Sequence, residues 1–362
     1  MGQGQYELVK PSGLSELDRA SWRDFLASNP ALGSPYFALE FAECCEEARA
    51  DTRVLVKRRK GQVVAFLPLH VGRVGYARPL AGPLGDVQGI IAPVDEVFDL
   101  DEALSAVRLP VFNFESVLAS QASFHPHTQS TDGSWMMDLS NGFDAWRAER
   151  KSAMPKAVKN LDVRRRRMDR YEGGHSFVID DRREGILDTM IAWKREQYRR
   201  TGVFDVFSVG WTRKLLEAVL RRQSDHFCGL VSTLSIEGRI AALHVGMASD
   251  RVCHYWFPAY DIDFGRVSPG LLMIEEMAKI AASIGHEALE LGPGDYGFKR
   301  DLSSYQVGLS RGYATSTSLL GFARSASHSL VEVAEGAPLG ALSALPGKAM
   351  RKLDRLASFY AS

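Results

Sequence analysis

The sequence predicts an α/β chain built from two similar halves. Three observations carry this. Apolar residues at helical spacing alternate along the chain with short strand-like runs. A hairpin signal occurs twice, as "KGQVVAFLPLHVG" at 60–72 and "EGRIAALHVG" at 237–246. Each reads charge, glycine, polar, two small or β-branched residues, then a strand ending His-Val-Gly. The two turns stand 177 residues apart in a chain of 362, close to half its length. The second half then runs strand, strand, strand, a helix with glycine in its first turn, and a further strand.

In chain order, residues 15–50 read as helices around "ELDRASWRDFLAS" and "PYFALEFAECCEEARA". Two strands turning at Lys60-Gly61 follow, then a glycine-rich, strand-poor run, "ARPLAGPLGDVQGIIAP". "SWMMDLS" reads as a strand, and a helix starts near Asn141. From Trp146 to Arg170 the chain turns basic: ten Lys or Arg against Glu149, Asp162 and Asp169, read as one basic helix joining the halves. "YEGGHSFVID" predicts a turn and strand, and residues 184–200 and 210–222 predict helices. Three antiparallel strands should turn at Glu237-Gly238 and Ser249-Asp250, and "ALELGP" has the length and flanks of a buried strand.

Composition narrows the class. Hydrophobic residues make up 45% and charged residues 24%, as in ordinary globular proteins. Lys+Arg and Asp+Glu are both 44, so global charge gives no indication of DNA as a partner. No apolar run approaches the ~18 residues of a membrane span, and "MGQGQYELVKPSG" has no apolar targeting core; the expectation is a cytoplasmic protein. Cys44, Cys45, Cys228 and Cys253 form no C-x-x-C, which argues against a disulfide framework or structural zinc. His125 and His127 have no third ligand nearby, so no metal is expected.

Two stretches carry candidate chemistry. In "DFGRVSPGLLMIEEMAKIAASIG", 263–285, Ser268 is an expected N-cap and Pro269 suits the first helical position. Met273, Met277, Ile280 and Ile284 form an apolar stripe, with Glu275, Glu276, Lys279 and Ser283 opposite; Gly285 ends the helix. Gly270 has no helical reason to be there, since glycine lowers helix stability by about 1 kcal/mol relative to alanine. It lets a ligand approach the amides of Gly270 and Leu271, with Arg266 just upstream, and a helix N-terminus suits phosphate. The alternative is a capped turn and nothing more.

The second stretch is "LELGPGDYGFKRDLS", 289–303. Gly292, Gly294 and Gly297 let the chain leave the strand in unusual conformations and bring Asp295, Tyr296 and Lys299 to the carboxyl edge of a sheet. Should 295–299 form one helical turn, Asp295 and Lys299 face one side together. A surface loop with ordinary charges is the competing reading. His244 and His254 sit among apolar neighbours and read as hydrogen-bonded core residues. The basic run 146–170 has three readings: a solvated face or interdomain brace, an RNA-backbone stripe, or a site for an anionic membrane surface or cyclic di-GMP.

From "YDIDFGRVSPGLL" through "LELGPGDYGFKRDLS" the chain resembles the second half of the GNAT-related acyltransferases called BioF2-like or CelD-like, which are allied to the FemAB peptidoglycan aminoacyltransferases. The markers are the S-P-G-x-L-L helix start, the strand ending in G-x-G-D, and the Phe298-Lys299 pair. The likeness continues through "IAWKREQYRRTG" and "GSPYFALEFAECCEEA", over roughly residues 15–315. It implies tandem GNAT-like domains in a FemAB-like arrangement: an N-terminal domain at 1–145, an acyltransferase domain at 146–320, and an Ala/Ser/Gly-rich tail with a basic helical end at 321–362. The implied donor is an acyl-CoA such as acetyl-CoA, its pyrophosphate on Arg266, Ser268, Gly270 and Leu271. Of the usual Q/R-x-x-G-x-G/A loop, only Arg266 and Gly270 are present. The acceptor would be an amino or hydroxyl group of a sugar or polysaccharide precursor in exopolysaccharide synthesis, such as cellulose or the holdfast adhesin. The basic helix allows peripheral attachment at the inner membrane. Asp295 is the expected base and Lys299 the cation for the oxyanion; Tyr260 and Asp261 are further candidates. The rivals are an aminoacyl-tRNA-dependent transferase and a non-catalytic nucleotide-sensing subunit of a polysaccharide complex.

Overall fold

Both hairpin signals form, through the same turn. Lys60-Gly61 has φ of 51° and 80°, and Glu237-Gly238 has 51° and 76°. Two successive left-handed residues are the type I′ geometry whose twist matches that of paired strands. These turns come from a computed structural model that describes residues 5–316 and residue 359. The tail expected at 321–362 lies outside the described residues, residue 359 apart.

In chain order the elements are β1 (Gln5–Val9), α1 (Glu16–Ser28), α2 (Leu39–Ala48), β2 (Thr52–Arg59), β3 (Gln62–Val71), β4 (Tyr76–Pro79), α3 (Leu100–Ala106), β5 (Val111–Leu118) and β6 (Thr128–Asp138). There follow α4 (Phe143–Ala153), α5 (Pro155–Met168), β7 (His175–Val178), α6 (Ile186–Thr201), α7 (Gly210–Arg221), β8 (Phe227–Ile236), β9 (Arg239–Ser249) and β10 (Val252–Tyr260). The last are α8 (Pro269–Ser283), β11 (Ala288–Pro293), α9 (Gly297–Leu302) and β12 (Tyr305–Thr315). The sequence reading does not predict β1, β4, α3, β5 or β12, and β4 falls in the run expected to be strand-poor.

The chain divides into two units. Among the described residues, one comprises 5–32, 45–132, 308–316 and 359; the other comprises 33–44 and 133–307. The division expected at 145/146 therefore falls inside the second unit, because β6 pairs with β11 through Asp138↔Ala288 and Ser134↔Pro293. In the first unit the strand order is β1-β2-β3-β4-β5-β12, antiparallel except for β4 and β5. In the second it is β7-β8-β9-β10-β11-β6, antiparallel except for β10 and β11. The repeat expected from the hairpins thus extends to six strands, each unit with one parallel pair at the same place. A parallel pair needs a crossover, and here α3 and α8 supply it.

Each unit has its own core. In the first, Phe112, Phe114 and Phe124 pack with Leu67, Leu69 and Leu104. In the second, Trp146, Leu161 and Met168 pack with Leu272, Met277 and Leu289. Burying each such side chain stabilises by about 1.5–3 kcal/mol.

Three local expectations are corrected. The basic segment is two helices, because Pro155 cannot continue α4; it begins α5 after Met154 at φ −132°, ψ 58°. The stripe of α8 is rotated from the expected one: Leu272, Met273, Ile274, Met277, Ala278 and Ala281 are buried, whereas Ile284 is exposed. Glu275, expected outside, is buried between Arg147 and Arg165, with Arg165 Nη2 2.7 Å from its Oε2. Arg147 also pairs with Asp162, and Arg165 with Glu276. These ion pairs tie α4 and α5 to α8 within the second unit, so they do not make the basic run the brace between the two halves that was expected.

Candidate active site

β10 and β11 run parallel and in register over three residue pairs, Val252↔Ala288, Cys253↔Leu289 and His254↔Glu290. Beyond that pair they separate, β10 continuing to Tyr260 and β11 to Pro293. Both strands are irregular where they part: β10 shifts register against β9 between His254 and Phe257, and β11 against β6 between Glu290 and Gly292. Two neighbouring strands in the middle of a sheet thus stop pairing before either one ends.

The fork is pinned by a buried polar cluster. Glu290 accepts from Ser34 Oγ at 2.7 Å and Ser134 Oγ at 2.8 Å. His254 Nδ1 lies 3.4 Å from Glu290 Oε2, and its Nε2 is 3.1 Å from the Tyr36 hydroxyl. Burial pushes the Glu290 carboxyl up, but His254 and the two hydroxyls together hold it below its usual range. His244 is buried against the carbonyl of His254, stacked on Tyr255, and burial brings its pKa down to about 3. It is the neutral core histidine expected.

α8 starts beside the end of β10. Ser268 holds the cap position but sits at φ 50°, ψ 61°, with no side-chain cap bond. The left-handed turn lets the chain reverse out of the preceding 3₁₀ turn at 262–267, where Ser268 N–H donates to Gly265 at 3.1 Å. The side chain is therefore turned out of capping position. Leu271 N–H, expected to face outward, donates to the Ser268 carbonyl at 3.0 Å. Gly270 keeps its open side: a Cβ there would meet only Tyr260 Cδ1, at 3.7 Å. Arg266 is exposed, and its carbonyl accepts from Arg167 Nη1 at 3.4 Å, so two cations stand beside this helix start. The corresponding crossover α3 differs. Its first turn carries Asp101 and Glu102, and Asp99 caps it by accepting from Glu102 N–H at 2.9 Å. Those carboxylates repel an anion, so α8 is the phosphate-compatible crossover of the two.

After β11 the chain turns through Gly292 and Gly294, at φ 75° and 105°, conformations that suit glycine. Trp135 Nε1 donates to the Gly294 carbonyl at 3.0 Å and fixes this exit. Lys299 is buried and donates from Nζ to the carbonyls of Gly292, at 3.1 Å, and Pro293, at 2.7 Å. Asp295 is not beside it. It is 77% exposed, with Arg300 Nε 3.5 Å from its Oδ1. The helical turn expected over 295–299 begins only at Gly297, with Tyr296 as its extended N-cap, so Asp295 and Lys299 share no helix face. Asp261 caps the 3₁₀ turn by accepting from Asp263 N–H at 2.9 Å and pairs with Arg239 Nη2 at 3.1 Å. Tyr260 is exposed and lines an open cleft with Trp193, Gln197, Arg200, Ala259 and Ile262.

The sequence reading missed Lys194 of α6. It is buried, with Nζ 3.3 Å from Gln197 Oε1 and 5.8 Å from the Tyr198 ring centre. Burial, helped by the nearby Lys299 ammonium, brings its pKa down to about 8. A signal existed: Ile186, Met190 and Ile191 set the buried stripe of α6, and Lys194 continues it at helical spacing. Glu290, within "ALELGP", was likewise read only as part of a buried strand.

Residues 155–300 match the family model of the acetyltransferase (GNAT) domain. No curated protein matches the sequence. Among solved structures, FemX aligns with a TM-score of 0.55 at 12% identity, over 85% of this chain and 96% of FemX. The C-terminal (DUF2156) domain of a protein from Agrobacterium fabrum, described as a lysylphosphatidylglycerol synthetase, aligns with a TM-score of 0.51 at 13% identity, over 87% of this chain and 96% of that one. A tandem GNAT protein from the clavulanic acid pathway aligns at 0.49 and 11% identity, over 86% and 98%. At such identities the likeness is one of fold. The chain has a FemX-like tandem α/β fold, and the stretch similar to the GNAT acetyltransferase domain, residues 155–300, contains β10, β11, α8 and Lys299.

Proposed function

We propose that the second unit moves an acyl group from an acyl-CoA, acetyl-CoA being the simplest, to an amino or hydroxyl group of a sugar. The observation that carries this reading is the divergence of β10 from β11. Strand backbone beyond the fork offers amide and carbonyl groups to an extended donor arm that is itself made of amides. The start of α8, a helix of 15 residues, would take the pyrophosphate, with Arg266 and Arg167 adding charge. The nucleophile attacks the thioester carbonyl, the carbon–sulfur bond breaks, and the Lys299 ammonium at the end of β11 steadies the oxyanion. Calorimetric titration with acetyl-CoA, tRNA and cyclic di-GMP tests the donor. Acetyl-CoA should bind, and thiol release should then require an acceptor such as glucosamine. Lys299→Met should lower kcat by roughly 10²-fold or more, the scale of losing one oxyanion donor. Binding of tRNA instead would make the chain an aminoacyl-tRNA-dependent transferase; binding of cyclic di-GMP alone would make it a nucleotide sensor.

A second reading concerns the outer face of α5. Lys156, Lys159, Arg166 and Arg167 are exposed and have no carboxylate partner among the described residues, whereas Arg165 on the inner face braces α8. That segregation favours contact with an anionic surface such as the inner membrane, at about 1 kcal/mol per cation. No helix among the described residues is long and apolar enough to cross a membrane.

A further inference from the structure

We propose that Lys194 is the general base of the second unit, its amine taking the proton of the attacking nucleophile while Lys299 steadies the oxyanion. The inference rests on the acyl-thioester reading above and adds a residue to it. Lys194 lies on α6, which packs against β9 and β10, and Lys299 at the exit of β11, near enough for its ammonium to act on Lys194. Trp193 and Gln197, on either side of Lys194 in α6, line the open cleft at the end of β10. The Lys194 amine donates to Gln197 Oε1, so it is hydrogen-bonded to a residue of that cleft's lining.

The two lysines differ in what holds them. Lys299 donates to two backbone carbonyls. Lys194 has a single amide oxygen at 3.3 Å, and no carboxylate pairs with it among the described residues. The charged or titratable groups facing it are the Lys299 ammonium from α9 and the Tyr198 ring on its own helix. At the cleft mouth Glu196 pairs with Arg199, and Asp261 with Arg239, so those carboxylates are engaged elsewhere. A buried amine opposite a second ammonium loses its proton near neutrality, as a base for acyl transfer must.

The step balances. The neutral amine or hydroxyl of the acceptor bonds to the thioester carbon and passes its proton to the Lys194 nitrogen. The tetrahedral oxyanion collapses, the carbon–sulfur bond breaks, and the Lys194 ammonium returns the proton to the departing thiolate. Amide or ester and free thiol leave, and the lysine is neutral again.

Two measurements on the full chain test this. The first is competitive labelling of lysines with acetic anhydride across pH, read by peptide mass spectrometry. Lys194 should label with a midpoint near 8, about two pH units below surface lysines, and Lys299→Met should raise that midpoint. The second is the pH dependence of thiol release from acetyl-CoA with glucosamine. Wild type should rise with a midpoint near that of the labelling; Lys194→Met should lose 10²–10⁴-fold in kcat together with that limb. Lys194→Arg should be equally slow, since it keeps the charge and cannot act as a base. A labelling midpoint among the surface lysines, or a pH limb that survives in Lys194→Met, overturns the assignment. Absence of thiol release from wild type with every acceptor overturns the acyl-thioester reading instead, and the labelling, which needs no donor, still decides whether this lysine is neutral.

Discussion

A lysine buried for chemistry should weaken the fold, and Lys194→Met measures by how much. An unfolded lysine titrates near 10.4, whereas burial and the Lys299 charge bring this one down to about 8. At about 1.4 kcal/mol per pH unit, that difference costs folding ~3 kcal/mol. The folded pKa is depressed, so between about 8 and 10.4 the unfolded state binds the extra proton, and stability rises with pH through that window. The handicap is complete below about 8 and gone above about 10.4. Methionine has similar volume and no charge; it forfeits the long bond to Gln197, worth about 1 kcal/mol. The net gain for Lys194→Met is then ~2 kcal/mol at pH 7, or about 4–8 °C in Tm for a unit of this size. Thermal unfolding of wild type and variant, side by side at pH 7 and pH 10.5, is the assay. A variant no more stable than wild type at pH 7, or an advantage undiminished at pH 10.5, refutes the reasoning. The expected opposition, a more stable protein that is catalytically dead, separates a functional buried charge from a structural one.

Other perturbations have definite expected outcomes. Ser268→Ala should change stability by less than about 0.5 kcal/mol in denaturant titrations, because Ser268 makes no cap bond; Ser15→Ala, which breaks a true capping box, should cost about 1 kcal/mol. Gly270→Val should weaken acetyl-CoA binding with little change in Tm, since the added carbon meets only the Tyr260 ring; equal losses in both would make Gly270 a structural turn. Glu275→Gln should destabilise by roughly 2 kcal/mol, because it leaves Arg147 and Arg165 facing a neutral amide at a buried position. Binding of phosphatidylglycerol vesicles should fall steeply with salt, and reversing Lys156, Lys159, Arg166 and Arg167 to glutamate should abolish it; a salt-independent response removes the anionic-surface reading.

What the sequence determined by itself was local and periodic. Two-residue turns such as Lys60-Gly61 and Glu237-Gly238 are dictated by residues that tolerate positive φ, so both hairpins and their echo were legible. Pro269 and Gly285 bound α8 for reasons internal to the helix, and Gly292 and Gly294 mark where the chain must leave β11. Apolar stripes set the faces of α6 and α7. The same stripe carried Lys194, a charged residue at a position that burial requires, though its meaning depends on what faces it.

Only the tertiary structure decided the partners. Nothing local says that β12 pairs with β5, or β6 with β11, because strand pairing is settled by which edge is free once the hairpins have formed. The Asp295–Lys299 pair failed for a similar reason. Spacing in sequence becomes proximity only inside a helix, and that helix starts at Gly297, so Asp295 turned to Arg300 and solvent while Lys299 turned to the carbonyls of Gly292 and Pro293. Glu275 followed arginines on α4 and α5 into the interior, because two guanidinium groups outweigh the cost of burying one carboxylate. The influence of the Lys299 ammonium on Lys194 belongs to the same class. Their separation along the chain carries no trace of it, and only the packing of α6 on β9 and β10 brings one ammonium into the field of the other.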